Sequence, residues 1–141
     1  MYDLLSGLTV IEGSAFVAAP LGGMTLAQLG ANVIRFDPIG GGMDFKRWPQ
    51  DDKGNSLYWN GLNKGKKSIA VNIREEEGRD LIRALICAPG PDNGIFLTNH
   101  PPGGPLSFNS LKSQRKDLIM LNILEHFPSV VFISTMHFIS E

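Results

Sequence analysis

Short apolar runs alternate with mixed polar and apolar segments along the first 124 residues of the chain. The runs are rich in β-branched and other large apolar side chains and predict strands at positions 8–12, 32–36, 68–73, 94–98 and 118–124. Apolar residues at helical spacing predict helices at positions 21–29, 74–87 and 110–116. Strands that alternate with helices indicate an α/β fold, in which an open, mostly parallel sheet is covered by helices on both faces.

The connections that follow the strands are the expected position of a ligand. In an open parallel sheet the ligand lies beyond the carboxyl ends of the strands. Three predicted loops lie there, at positions 13–19, 37–44 and 99–104. The segment 44–63 contains both tryptophans, Trp48 and Trp59, and is predicted to be a long functional loop that includes one short turn.

The pattern changes after Leu124. Residues 125–141 are apolar and β-prone, but they lack the glycine-containing loop and the amphipathic helix that would continue the alternation. We therefore expect a division between residues 1–124, which form an incomplete sheet, and residues 125–141, an anomalous apolar tail. A truncation or a shifted reading frame would explain such a tail.

Composition narrows the class of protein. The chain has 141 residues, a net charge of −1 and a single cysteine, Cys87. A near-neutral charge gives no reason to expect nucleic acid or an anionic membrane as a partner. One cysteine excludes an internal disulfide and fits the cytoplasm, and neither a signal peptide nor a run of about 20 apolar residues is recognised. The three histidines are not at metal-ligand spacing, so no metal site is expected.

Charged and glycine-rich segments supply candidate site residues, and each also has an ordinary structural interpretation. The three lysines within residues 64–67 suit a phosphate group or a solvated cluster. Asp37 ends the second predicted strand and could bind a ribose, but the turn at 13–18 lacks the G-x-G-x-x-G pattern of a dinucleotide site. The segment 46–48 offers two cations beside an indole, as a platform for an adenine ring or as a surface cluster. His100 is a hydrogen-bond partner for a ligand or simply an exposed loop residue.

Several blocks of sequence occur in a characteristic order and spacing: GLTVIE at 7–12, AP at 19–20, LAQLGANVIRFDP at 26–38 and LNKGKKSI at 62–69. They resemble the N-terminal part of the family III CoA-transferases of the CaiB/BaiF type. The resemblance covers residues 5–124 and implies a Rossmann-like sheet that holds coenzyme A, as part of an acyl-CoA substrate, and not NAD. It also implies that full-length relatives form interlaced homodimers.

The resemblance implies which residues contact coenzyme A, and it turns the lysine segment into an expected phosphate contact. The matching positions follow the first strand, precede the third strand and follow the fourth strand. They are Val17, Ala18, Leu62, Asn63, Lys64, Gly65, Lys66, Asn99 and His100.

The family reaction, as the resemblance implies it, uses an aspartate as nucleophile. The carboxylate attacks the acyl thioester, forms a mixed anhydride and then carries CoA as an enzyme thioester. That aspartate lies beyond the strand that matches residues 118–124. No aspartate follows Asp117 in this chain, and the only later acids are Glu125 and Glu141. We therefore assign no catalytic residue, and whether this chain is itself an enzyme stays open.

Within the family, residues 17–24 and 36–42 are most similar to members that move CoA between the two carboxyl groups of one molecule. The similarity implies a parent activity on 2-methylfumaryl-CoA or a similar dicarboxylic acyl-CoA. Two alternatives remain: a non-catalytic CoA-binding or interaction module, and a fragment of an α-methylacyl-CoA racemase.

Overall fold

A computed structural model of the protein describes residues 3–101 and 103–124. Within these ranges one sheet contains the strands β1 (Thr9–Gly13), β2 (Asn32–Asp37), β3 (Lys67–Ala70), β4 (Ile95–Thr98) and β5 (Ile119–Asn122). Their order across the sheet is β3-β2-β1-β4-β5, and every neighbouring pair is parallel. The helices are α1 (Ala18–Gln28), α2 (Leu57–Leu62), α3 (Glu76–Ile86) and α4 (Phe108–Gln114). The predicted α/β fold with an open parallel sheet is confirmed.

Consecutive residues of the inner strands point to opposite faces of the sheet, and helices cover both faces. On one face Val10, Val33 and Leu97 pack with Ala19 and Ala27, whose small side chains let α1 lie close to the strands. The opposite face is formed by Ile11, Phe36 and Phe96 together with Ile82 and Ile86 of α3 and Leu111 of α4. The prediction of helices on both faces is therefore confirmed.

Helix α3 shows how the local sequence sets the packing. Ile82 and Ile86 are one turn apart and fully buried against the sheet. Glu76 and Glu77 lie in the first turn, where negative charge favours the helix dipole. Gly78 lets this turn approach the preceding chain, because a Cβ atom there would lie 2.1 Å from the carbonyl oxygen of Asn72.

Several boundaries differ from those predicted from the sequence. The expectation that residues 44–63 form a long loop is wrong at its end, where residues 57–62 form α2. Ser56 begins this helix, since its Oγ atom accepts a hydrogen bond from the N–H of Trp59 at 3.0 Å. Helix α1 begins three residues earlier than predicted, β3 ends at Ala70, α4 begins at Phe108, and a 3-10 turn at Gly104–Leu106 was not predicted.

The expected tail at residues 125–141 lies outside the described residues, so the division of the chain at residue 124 stays a prediction. The longest described helices, α1 and α3, have 11 residues each. In the ranges 3–101 and 103–124 no helix is long and apolar enough to cross a membrane.

Candidate functional site

The turns that follow β1 and β4 are held together at the carboxyl edge of the sheet. The N–H of Ala15 donates to Asn99 Oδ1 at 2.9 Å, and Asn99 Nδ2 donates back to the carbonyl oxygen of Ala15 at 2.8 Å. Thr98 Oγ1 donates to the carbonyl oxygen of Gly13 at 2.7 Å and accepts from the N–H of His100 at 3.0 Å. Two loops that are far apart in the sequence are therefore joined by hydrogen bonds.

Arg35, on β2, is fully buried at the same edge and holds three carboxylates around it. Its Nε and Nη2 atoms donate to the two oxygens of Asp37 at 2.8 and 2.9 Å. Glu12 and Asp44 each lie 3.4 Å from the guanidinium, and Asn63 Oδ1 accepts from Nη1 at 3.1 Å. Burial lowers the pKa of Arg35, but Asp37 and the two other carboxylates outweigh burial and raise it overall. Arg35 is therefore charged and joins β1, β2 and the loop 37–44.

Lys66 is the second buried cation of this network. Its Nζ atom donates to Glu12 Oε1 at 2.9 Å, to the carbonyl oxygen of Pro20 at 2.8 Å and to Asn63 Oδ1 at 2.8 Å. Nζ also lies 2.8 Å from Glu12 Oε2. Burial lowers the pKa of Lys66, while the neighbouring Glu12 carboxylate opposes that shift. All three ammonium donors thus have acceptors inside the protein.

Asp44 fixes the turn between β1 and α1 from the side of the loop 37–44. Its Oδ2 atom accepts a hydrogen bond from the N–H of Phe16 at 3.0 Å. Phe16 has a φ angle of +68°, in the left-handed region that residues with a Cβ atom rarely adopt, and the residue is 42% exposed. Strained backbone of this kind persists where the surroundings hold it, and it is concentrated at ligand-binding sites.

Four of the residues predicted to contact coenzyme A are exposed, two at the N-terminus of α1 and two in the segment before β3. Val17 precedes α1 and offers no side chain to cap it, and Ala18 is the first residue of the helix. Lys64 and Gly65 are exposed in the segment before β3, and Gly65 has a φ angle of +78°. An uncapped helix N-terminus and an exposed lysine are groups that attract phosphate.

The remaining predicted residues are engaged within the protein. Leu62 is the half-buried last residue of α2. Asn63 and Lys66 belong to the buried network beside the first turn of α1, and Asn99 is bonded to Ala15. These polar side chains hold the loops of the edge in place.

His100 lies on the other face of the sheet, next to a cavity of about 200 Å³. Its ring is edge-on to the ring of Phe36, with centroids 6.1 Å apart. Burial lowers its pKa, and the positive charge of Arg35 lowers it further. The cavity walls include Phe96 and Met120 from the strands and Arg79 from α3.

Four charged residues at the carboxyl edge have structural roles that the sequence did not predict. Both oxygens of Asp37 are bonded to Arg35, so this carboxylate is a structural partner and not a free ribose ligand. The roles of Glu12, Arg35 and Asp44 were not predicted. One signal was available: Glu12 and Arg35 are charged residues inside otherwise apolar strands, which is unfavourable unless the charges are paired.

Comparison with known proteins defines the class. The model for CoA-transferase family III matches residues 5–125. A 2-methylfumaryl-CoA isomerase of Chloroflexus aurantiacus is 63% identical over 125 residues, which are 88% of this chain and 31% of that protein. The succinyl-CoA–D-citramalate CoA-transferase of the same organism is 34% identical over 124 residues, 84% of this chain and 30% of that protein. The chain therefore belongs to CoA-transferase family III, and it spans about a third of the length of these relatives.

A solved structure supports the same assignment. The crystal structure of a CaiB/BaiF family protein from Brucella suis superposes with a TM-score of 0.74 and 33% sequence identity. The match covers 86% of this chain and 33% of the Brucella protein. The fold described above is thus similar to that of the corresponding third of a larger relative.

Proposed function

We propose that residues 5–124 bind the coenzyme A part of an acyl-CoA, as the N-terminal portion of a family III CoA-transferase. The observation that carries the proposal is the 63% identity to 2-methylfumaryl-CoA isomerase over 88% of the chain. The proposed parent activity is transfer of CoA between the two carboxyl groups of 2-methylfumaryl-CoA or a similar dicarboxylic thioester. The interlaced homodimer belongs to the same proposal and concerns the whole protein.

The binding surface that we propose combines the exposed N-terminus of α1, at the carboxyl edge, with the exposed segment before β3. The uncapped N-terminus of α1 at Val17 and Ala18 and the exposed Lys64 and Gly65 offer N–H groups and positive charge to the phosphates. The buried network around Arg35 stabilises this surface, because it connects the turn after β1 to the loop 37–44 and connects β1 to the segment before β3.

Asp37, Asp44 and Asp117 are poor candidates for the family nucleophile. Asp37 and Asp44 are buried and bound to Arg35. Asp117 lies on the surface, where a hydrogen bond from Arg115 lowers its pKa and holds the carboxylate. We therefore propose that this chain binds coenzyme A, and we assign no catalytic residue. An α-methylacyl-CoA racemase would also bind acyl-CoA, so these residues do not distinguish a transferase from a racemase.

Titration of the purified chain with coenzyme A tests the proposal. A ligand at about 100 times its dissociation constant stabilises the folded state by about 2.7 kcal/mol, so the thermal midpoint should rise with coenzyme A and with acyl-CoA. Dephospho-CoA, which lacks the 3′-phosphate, should bind more weakly. Lys64→Ala should reduce the affinity for coenzyme A, while Lys53→Ala, at another exposed lysine, should not.

Two results would contradict the proposal. The absence of any stabilisation by coenzyme A and by acyl-CoA would remove the binding function. Exchange of CoA between acyl groups at a rate above the uncatalysed reaction would show that the chain holds a nucleophile that we have not assigned.

A further inference from the structure

Arg47 is an exposed cation held between two aromatic rings at the carboxyl edge. Its Cζ atom lies 4.8 Å from the ring centroid of Tyr58 and 5.8 Å from that of Phe16. Its main chain is also fixed, because its N–H donates to the carbonyl oxygen of Asp44 at 3.1 Å and its carbonyl oxygen accepts a hydrogen bond from Ser56 Oγ at 2.5 Å. The guanidinium is therefore positioned although it lies on the surface.

The hydrogen-bond donors of this guanidinium are available to a ligand. Within residues 3–101 and 103–124 none of its nitrogen atoms donates to a protein acceptor or lies in an ion pair, whereas the donors of Arg35 and Lys66 have carboxylate and carbonyl acceptors. A guanidinium that stacks on rings uses its flat face, so the N–H groups along its edge remain free. That edge matches a carboxylate through two parallel hydrogen bonds.

Arg47 lies beside one part of the proposed coenzyme A surface, the start of α1. Phe16, under the guanidinium, directly precedes Val17 at the start of α1. Tyr58 lies in the first turn of α2, and the segment with Lys64 follows the last turn of that helix. Six helical residues span about 9 Å, so the ring of Tyr58 that Arg47 contacts and the segment with Lys64 lie at opposite ends of α2.

We propose that Arg47 determines substrate specificity by binding the free carboxylate of a dicarboxylic acyl-CoA. The inference rests on the proposed function, since it requires that acyl-CoA binds at this edge. A dicarboxylic monothioester keeps one carboxylate that a monocarboxylic acyl-CoA lacks. The partly exposed ring of Phe16 beside the guanidinium gives the carbon chain an apolar surface.

Dissociation constants for succinyl-CoA, butyryl-CoA and coenzyme A test this role. The two acyl groups have the same number of carbons and differ in a terminal carboxylate. The unaltered chain should bind succinyl-CoA more tightly than butyryl-CoA. Arg47→Gln should weaken succinyl-CoA binding roughly ten-fold or more, as expected for the loss of a charged hydrogen-bonded pair, and should leave the other two constants within about two-fold. Arg47→Lys should retain part of the preference, and Lys53→Gln should retain all of it.

The remaining outcomes distinguish the ways in which the inference could fail. Equal weakening of all three ligands by Arg47→Gln would place the guanidinium on a phosphate and overturn the carboxylate assignment. Unchanged binding of succinyl-CoA would remove Arg47 from the site altogether. The thermal midpoint of the variant without ligand, compared with that of the unaltered chain, serves as the test of folding in both cases. If the unaltered chain bound none of the three ligands, the proposed function would fail and this inference with it.

Discussion

Lys66 and Glu12 form an ion pair in the interior of the protein, with Lys66 Nζ 2.9 Å from Oε1 and 2.8 Å from Oε2 of the carboxylate. The side chains are 1% and 0% exposed. A lysine in a segment that suits phosphate thus neutralises a buried acid under the proposed binding surface. The positive charge that remains at the surface of this segment is that of the exposed Lys64 and Lys67.

Removal of the buried ammonium should destabilise the fold strongly. Lys66→Met leaves Glu12 charged and buried, with the guanidinium of Arg35 at 3.4 Å as its remaining cation. Loss of one partner of a buried pair costs about 3–5 kcal/mol, and we expect that decrease in the free energy of unfolding measured in urea at neutral pH. Lys64→Met, at an exposed position, should change it by about 0.5 kcal/mol or less. Equal effects of the two substitutions would contradict the structural role of Lys66.

The fold was largely predictable from the sequence because the signals for it are local. Apolar runs bounded by glycine and polar residues predicted every described strand, and the alternation with helices predicted their parallel arrangement. Helix α2 was missed because its six residues contain Gly61 and two aromatic residues, and it depends on the cap at Ser56. A short helix of this kind is stabilised by its context more than by its own propensity.

The site was predictable to the extent that a parallel sheet brings the ends of its strands together. The contacts between Ala15 and Asn99 and between Phe16 and Asp44 confirm that the predicted loops meet. The internal role of Lys66 was not predictable, because it depends on the register in which Lys67 pairs with Ile34. That register brings the segment before β3 level with the first residues of β2, and the long lysine side chain reaches Glu12 from there.

Two adjacent glycines of α1 should respond in opposite ways to alanine. A Cβ atom at Gly23 would lie 1.7 Å from Oε2 of Glu12, which is buried and cannot move without losing Lys66. Gly23→Ala should therefore lower the free energy of unfolding by about 1–3 kcal/mol. At Gly22 the nearest atom is Cδ2 of Leu97 at 3.7 Å, an ordinary contact, so Gly22→Ala should raise it by up to about 1 kcal/mol. A stabilising Gly23→Ala would show that Glu12 is not fixed.

Because Phe16 has a left-handed backbone conformation, glycine at this position should give a more stable protein than alanine, the reverse of their usual order in a helix. Residues with a Cβ atom pay roughly 1–2 kcal/mol in this region, and glycine does not. Phe16→Gly should therefore have a free energy of unfolding about 0.5–1 kcal/mol above that of Phe16→Ala, since both lose the ring. At the exposed helical position Ala84 the substitution Ala84→Gly should instead lower it by about 1 kcal/mol. Chemical denaturation of the three variants measures these differences.

His100 should make the protein less stable in mild acid. Its pKa in the folded state lies below the ordinary 6.5, because burial and then the charge of Arg35 disfavour the imidazolium. Between pH 6.5 and that lowered pKa the unfolded chain binds a proton at His100 that the folded chain does not, so the free energy of unfolding falls as the pH falls through this window. The contribution of His100 to the change in the free energy of unfolding is at most about 1.4 kcal/mol per pH unit. His100→Gln should remove this part of the pH dependence, and the difference between the two curves cancels the titration of the other groups. Parallel curves for the two proteins from pH 7.5 to 5 would show that His100 has the same pKa in the folded and unfolded states.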